Sequence, residues 1–182
     1  EYDLWVLSDE AYFDMLYDKP GRSIVSQPGM LERSVILYTF SKKFAMTGWR
    51  LGAAIGPKDI VSEISRINTN DESCSNHFVQ WAAVEALRGD QSHSKKIIDK
   101  LKKRRDAAVH KLNSMSGIKT ACPESTFYLF PNVTGAMKLL GLTEVESFRK
   151  LILNETGVSF CSRNHFGKPQ DSEDQFYIRL AY

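Results

Sequence analysis

Two apolar runs that stop abruptly at polar, chemically capable residues constrain this chain most. Leu4-Trp5-Val6-Leu7 is unbroken and ends at Ser8-Asp9-Glu10, which is the pattern of a buried strand, because a half-exposed strand alternates instead. Residues 34–40 (SVILYTF) repeat the design with β-branched and aromatic side chains and end at Ser41-Lys42-Lys43. Residues 49–55 form a third candidate strand, closed by the turn signal Gly56-Pro57. After it, Ile60, Val61, Ile64 and Ile67 recur at helical spacing, as do Phe78, Val79, Ala82, Ala83, Ala86 and Leu87 before Gly89. Strands alternating with helices predict an α/β layer fold.

A second, smaller pattern follows. Ile97, Ile98, Leu101, Ala108, Leu112 and Met115 mark one stripe of a long helix over 94–115 whose other faces are basic. Such a helix suits a connection, so we divide the chain into 1–93 and 94–182. The second part reads as α+β, with strands at 127–130, 158–161 and 176–181 and a helix over 144–154. Thr143 and Glu146 have the spacing of a capping box, and Gly157 is placed to stop the helix. Residues 168–174 read as a polar loop.

Composition narrows the function classes. With 24 basic against 22 acidic side chains, the formal charge of +2 gives no footprint for nucleic acid or an anionic membrane. The cluster Lys102-Lys103-Arg104-Arg105 points around a helix rather than along one edge, and reads as a solvated face. Cys74, Cys122 and Cys161 form no CxxC pair, and His77, His93, His110 and His165 lack ligand spacing, so no metal site is expected. No stretch approaches the roughly 20 apolar residues that span a bilayer. Reduced thiols and the absence of a targeting segment predict a cytoplasmic protein.

The informative segment is residues 39–52, TFSKKFAMTGWRLG. A lysine just beyond a buried strand stands where α/β folds place ligands, and a partly desolvated amine there is a nucleophile toward an aldehyde. Arg50, across a turn at Gly48, offers a planar cation suited to phosphate. Taken singly, Lys42 reads more often as a solvated strand-end lysine and Arg50 more often as a surface ion-pair partner.

Together these residues resemble the cofactor-attachment signature of class I aminotransferases, S/G-x-S-K-x-x-x-x-x-G-x-R-x-G. The upstream Ser8-Asp9-Glu10-Ala11-Tyr12 resembles the D-x-x-Y element of that family. Residues 176–181 (FYIRLA) resemble its late substrate-binding strand, and residues 123–131 and 165–167 resemble its P-x-G-x-F-Y and F-G segments. The resemblance implies fold type I: part of the large pyridoxal-phosphate (PLP) binding α/β domain, then the small α+β C-terminal domain. It further implies that Lys42 is the catalytic lysine bonded to PLP and that Arg50 grips the phosphate with help from Thr39. Asp9 would face the ring nitrogen, Tyr12 the ring oxygen, and Arg179 the substrate α-carboxylate.

The activity so implied is transamination between an amino acid and a 2-oxo acid, closest to the aspartate aminotransferase branch, in an enzyme that is a homodimer when intact. The family's upstream phosphate cradle and ring-stacking aromatic have no counterpart here, and its final helix is absent. The chain therefore reads as the C-terminal half of a longer enzyme, inactive alone. The residues equally serve a PLP-dependent lyase or synthase of the same fold, and a structural or dimerisation fragment is the third reading.

Overall fold

The computed structural model describes residues 2–182, which fall into two units, the first ending at Ile98 and the second running from Asp99 to Tyr182. In the first, strands β1 (Val6–Asp9), β2 (Ser34–Thr39) and β3 (Gly52–Ile55) form a sheet in that order. β1 and β2 are parallel, with Val6 opposite Ser34 and Asp9 opposite Leu37, and β3 returns antiparallel, with Thr39 opposite Gly52. Helices α1 (Lys58–Asp71) and α2 (His77–Arg88) follow, the latter capped by the Asn76 side chain, which accepts from Phe78 N. The division between units falls inside α3 (Ser92–Asn113).

The core of this unit lies beneath the end of β2. Phe40 and Met46 are buried with Val79 and Ala83, and Tyr38, Phe44, Leu51 and Ala82 pack around them. Val79 and Ala83 are four residues apart on α2, hence on one face, and burying a Phe or Met side chain contributes about 1.5–3 kcal/mol. The first apolar run, by contrast, is not buried. β1 starts only at Val6, is an edge strand, and leaves Leu4, Trp5 and Leu7 65%, 58% and 67% exposed. Its composition is that of a strand covered on both faces, and no such cover is present among the described residues. The apolar stripe of α1 is likewise open, with no buried residue. Trp49, expected in the third strand, sits in the 3-10 turn Thr47–Trp49.

In the second unit, β4 (Tyr128–Leu129), β5 (Cys161–Ser162) and β6 (Ile178–Ala181) form an antiparallel sheet with β6 in the centre. Helices α4 (Thr134–Leu139) and α5 (Val145–Thr156) complete it. Val133, Met137, Val145, Phe148, Phe160 and Ile178 are the buried core, with Phe176 and Leu180 packed against it, as period-two alternation requires. Residues 134–139 carry no helical signal long enough to read, and α4 depends on a backbone contact. Gly117 has φ +78°, its carbonyl accepts from Ala136 N at 2.9 Å, and a Cβ on it would lie 2.3 Å from that nitrogen.

Two local expectations change. The capping box does not form: Glu144 caps α5 without a side-chain hydrogen bond. The Glu146 carboxylate instead accepts from Ser162 Oγ and from Arg149 Nε, the latter at 2.7 Å. With its one proton committed, Ser162 Oγ accepts from His165 Nδ1 at 2.9 Å, giving that histidine a structural role. Nor is the basic cluster wholly solvated. Arg105 is 5% exposed and donates from Nη1 to Pro123 O at 3.0 Å and from Nε to Asp106 Oδ1 at 2.9 Å. Gly157 closes α5 as expected, in the left-handed conformation. Among the described residues no helix is long and apolar enough to cross a membrane.

Two outcomes follow from this packing. Gly117→Ala adds both an unfavourable φ and a backbone clash, and is expected to destabilise the second unit by about 2 kcal/mol or more in denaturant unfolding. The Ser162 hydrogen bond first, then Arg149, hold the Glu146 carboxyl below its ordinary value of 4.5. A depressed value gives a contribution that is complete above 4.5 and is lost as pH falls through the lowered value. The Glu146→Gln protein should therefore lose less stability than the parent between about pH 6 and about pH 3; denaturant midpoints across that window measure it.

Candidate active site

The parallel pairing of β1 and β2 sets their carboxyl ends side by side, and Glu10 N donates to Leu37 O at 3.0 Å to keep them so. Asp9 ends β1, and its Oδ1 accepts from Ala11 N at 3.2 Å, bending the chain. The bend continues through Phe13 N to Glu10 O and Met15 N to Tyr12 O, both 3.0 Å. Met15, 2% exposed, pins it to the interior. Glu10 fastens it from another side, its Oε1 accepting from Ser23 Oγ at 2.6 Å and Ile24 N at 3.3 Å. Tyr12 is thereby placed so that Lys42 Nζ lies 5.6 Å from its ring centroid, within cation–π range.

Lys42 sits in the turn after β2. Thr39 Oγ1 accepts from Ser41 N at 3.2 Å, while Phe44 N reaches Phe40 O and Ala45 N reaches Lys42 O, both at 3.3 Å. β2 ends at Thr39, so the alternation of a strand does not extend to Lys42 and Lys43. Lys43 Nζ is drawn aside by charge, 3.5 Å from Asp14 Oδ1.

The tight turn expected at Gly48 is made by other residues. Ala45 and Arg50 both have φ 54°, a left-handed conformation that costs a non-glycine residue about 1–2 kcal/mol. Strain of this kind persists where surrounding structure over-determines it, commonly at functional sites. At Ala45 the buried neighbours Phe40 and Met46 supply that. Arg50 Nη1 donates to Thr47 O at 3.1 Å, laying the guanidinium along the turn that follows Lys42. Gly52 answers to a different need: a Cβ there would lie 2.9 Å from Tyr38 O across the sheet.

Asp9, Tyr12, Thr39, Lys42 and Arg50 thus all lie in the first unit, on the strand ends and the turns leaving them. Arg179 lies in the second, on β6. It is no edge-strand arginine, since β6 is central. Its guanidinium carbon is 4.5 Å from the ring centroids of both Tyr128 and Phe166, and Nη2 reaches Cys161 Sγ at 3.9 Å. Phe130 stacks on Tyr177 at 5.4 Å beside this clamp. Tyr128 and Phe166, like Tyr38 and Asp14, are residues that the sequence reading left without a role. For Asp14 alone a signal existed, a carboxylate two residues past Tyr12 with an extra lysine at Lys43 to answer it.

An α/β unit with a lysine beyond the end of a parallel strand, followed by a smaller antiparallel α+β unit, is the arrangement that the resemblance to fold-type I aminotransferases implies, and solved structures of that fold match it. The chain superposes on the solved aromatic aminotransferase from Pyrococcus horikoshii OT3 with a TM-score of 0.87 and 34% identity, over 99% of this chain and 46% of that one. Residues 1–181 match the family model described as Aminotransferase class I and II, and the chain belongs to that family. It is 34% identical to an aspartate aminotransferase of Musicola paradisiaca and 37% identical to one of Pyrococcus abyssi. Both matches take in all of this chain but only 44% and 45% of those proteins, so it spans less than half their length.

Proposed function

We propose that this chain is the C-terminal half of a PLP-dependent aminotransferase, aspartate aminotransferase-like, that passes an amino group between an L-amino acid and a 2-oxo acid. The observation that carries the reading is the Lys42 amine held 5.6 Å over the Tyr12 ring, in the turn leaving a strand whose parallel neighbour ends in Asp9. Membership of the family and the identity with two aspartate aminotransferases support it. On this reading 1–93 belongs to the large cofactor-binding domain and 94–182 is the small domain, entered through α3. The intact enzyme is then a homodimer, and exposed apolar side chains such as Phe78 and Trp81, each 65% exposed, are surface for it to cover. Unpaired thiols at exposed Cys74 and Cys122 suit a cytoplasmic enzyme.

The donor set fits the parts of PLP: an amine for the aldehyde, a carboxylate for the ring nitrogen, a phenol for the ring oxygen, and a planar cation with a hydroxyl for the phosphate. When bound, that cofactor supplies an electrophilic carbon and a ring that accepts electron density. Asp9 would hold a proton at the ring nitrogen. Tyr12 would donate to the ring oxygen, and Arg50 and Thr39 would hold the phosphate. The Lys42 amine would bond the cofactor aldehyde and, when free, would take the proton from the substrate Cα. Arg179 presents its paired N–H groups to the α-carboxylate, its plane already fixed by Tyr128 and Phe166, so little orientation remains to be lost on binding.

Borohydride reduction of the intact protein with PLP, followed by peptide mapping, is expected to place the label on Lys42. Lys42→Ala should abolish it and lower transamination roughly a hundred- to ten-thousand-fold. A label on a distant peptide, or elimination products in place of an oxo acid, would overturn the reading. Arg179→Lys, which keeps charge but loses the fork, should raise KM for amino acids about tenfold or more in steady-state kinetics.

A further inference from the structure

Two primary amines stand next to each other where the proposed function uses one. Lys42 and Lys43 are both half-buried and share the same turn, and a carbonyl in reach of one backbone position is close to the reach of the next. The structure nevertheless treats them differently. Lys42 Nζ lies over the Tyr12 ring. Lys43 Nζ lies 3.5 Å from Asp14 Oδ1 and 5.1 Å from the Phe44 ring centroid.

Asp14 is itself held. Its other oxygen, Oδ2, accepts from Tyr38 Oη at 3.0 Å, and Tyr38 is a residue of β2 whose ring meets Phe40 edge-on at 5.3 Å. The anchor is therefore a strand side chain lodged beside the core. Burial first, and then the Asp14 charge, push the Tyr38 phenol well above its ordinary value, so it remains a donor across neutral and mildly alkaline pH. The side chains of Lys43 and Asp14 are only 23% and 27% exposed, so solvent and salt screen this pair less than a surface pair. Asp14 also belongs to the bend that carries Tyr12, so a single carboxylate ties that bend to β2 and to the lysine turn.

We propose that Asp14 is a positioning residue that decides which of the two amines is the nucleophile, by holding Lys43 Nζ on its carboxylate while Lys42 Nζ stays over Tyr12. An amine attacks a carbonyl through its lone pair and only if it can turn toward it; a nitrogen engaged on a carboxylate is held away from that attack. The proposal rests on Lys42 being the cofactor lysine, and deepens that reading by naming what excludes its neighbour.

The test uses the intact protein in two arms. In the first, without PLP, trace reductive methylation with formaldehyde and cyanoborohydride is read lysine by lysine by fragment mass spectrometry. In the unmutated protein Lys43 should react about fivefold more slowly than exposed Lys58. The isosteric Asp14→Asn should raise the Lys43 rate about threefold or more while leaving Lys42 nearly unchanged, and Asp14→Glu should restore protection. In the second arm, PLP and borohydride should label Lys42 alone in the unmutated protein and in Asp14→Glu, and should divide between Lys42 and Lys43 in Asp14→Asn. Lys43 reacting as fast as Lys58 in the unmutated protein, or unchanged by Asp14→Asn, overturns the role of Asp14. A PLP label on neither lysine overturns the proposed function instead, and the methylation arm still decides whether Asp14 holds Lys43.

Discussion

Burial of Phe40 and Met46 against Val79 and Ala83 is the interaction on which the candidate site depends. The two residues flank the turn that carries Lys42, one just past the end of β2 and the other four residues beyond the lysine. With both ends of the turn sunk into the same apolar cluster, the intervening residues have little choice of path. That is how the chain sustains a left-handed alanine at Ala45, where glycine would be the easier choice. On the proposed function the Lys42 amine must be poised and not mobile, and hydrophobic packing beneath the turn fixes the backbone that carries it.

The opposite wall is built by polar means. Asp9, Glu10 and Asp14 are close along the chain, yet each carboxylate does something different. Asp9 folds its own backbone, Glu10 anchors residues 23–24, and Asp14 joins Tyr38 and Lys43. Partners rather than position distinguish them, which is why equal chemistry in one short stretch serves three different purposes. The second unit uses aromatic faces for the same end. Arg179 is flanked by Tyr128 and Phe166, whose rings set the orientation of its guanidinium.

Much of the framework was legible in the sequence because it rests on local periodicity. Strands at 34–39 and 178–181 and the helices α1, α2, α3 and α5 follow from apolar spacing. The αL stop at Gly157 follows from the one residue type that adopts it readily. What failed did so for reasons of context. The run Leu4-Trp5-Val6-Leu7 has the composition of an internal strand but no cover for its faces among the described residues. Thr143 and Glu146 have the spacing of a capping box, but Ser162, distant in sequence, competes for the carboxylate and wins. Arg105 looks like one cation in a solvated run until Pro123 O and Asp106 are brought beside it.

Residue types at set intervals singled out the strand-end lysine, the carboxylate before it and the late-strand arginine only when taken together, through their resemblance to a family's motifs. No interval could show that Lys43 belongs to Asp14, that Tyr12 lies beneath Lys42, or that two rings clamp Arg179. Those are contacts between segments far apart along the chain, and only the packed core determines which side chains share a space.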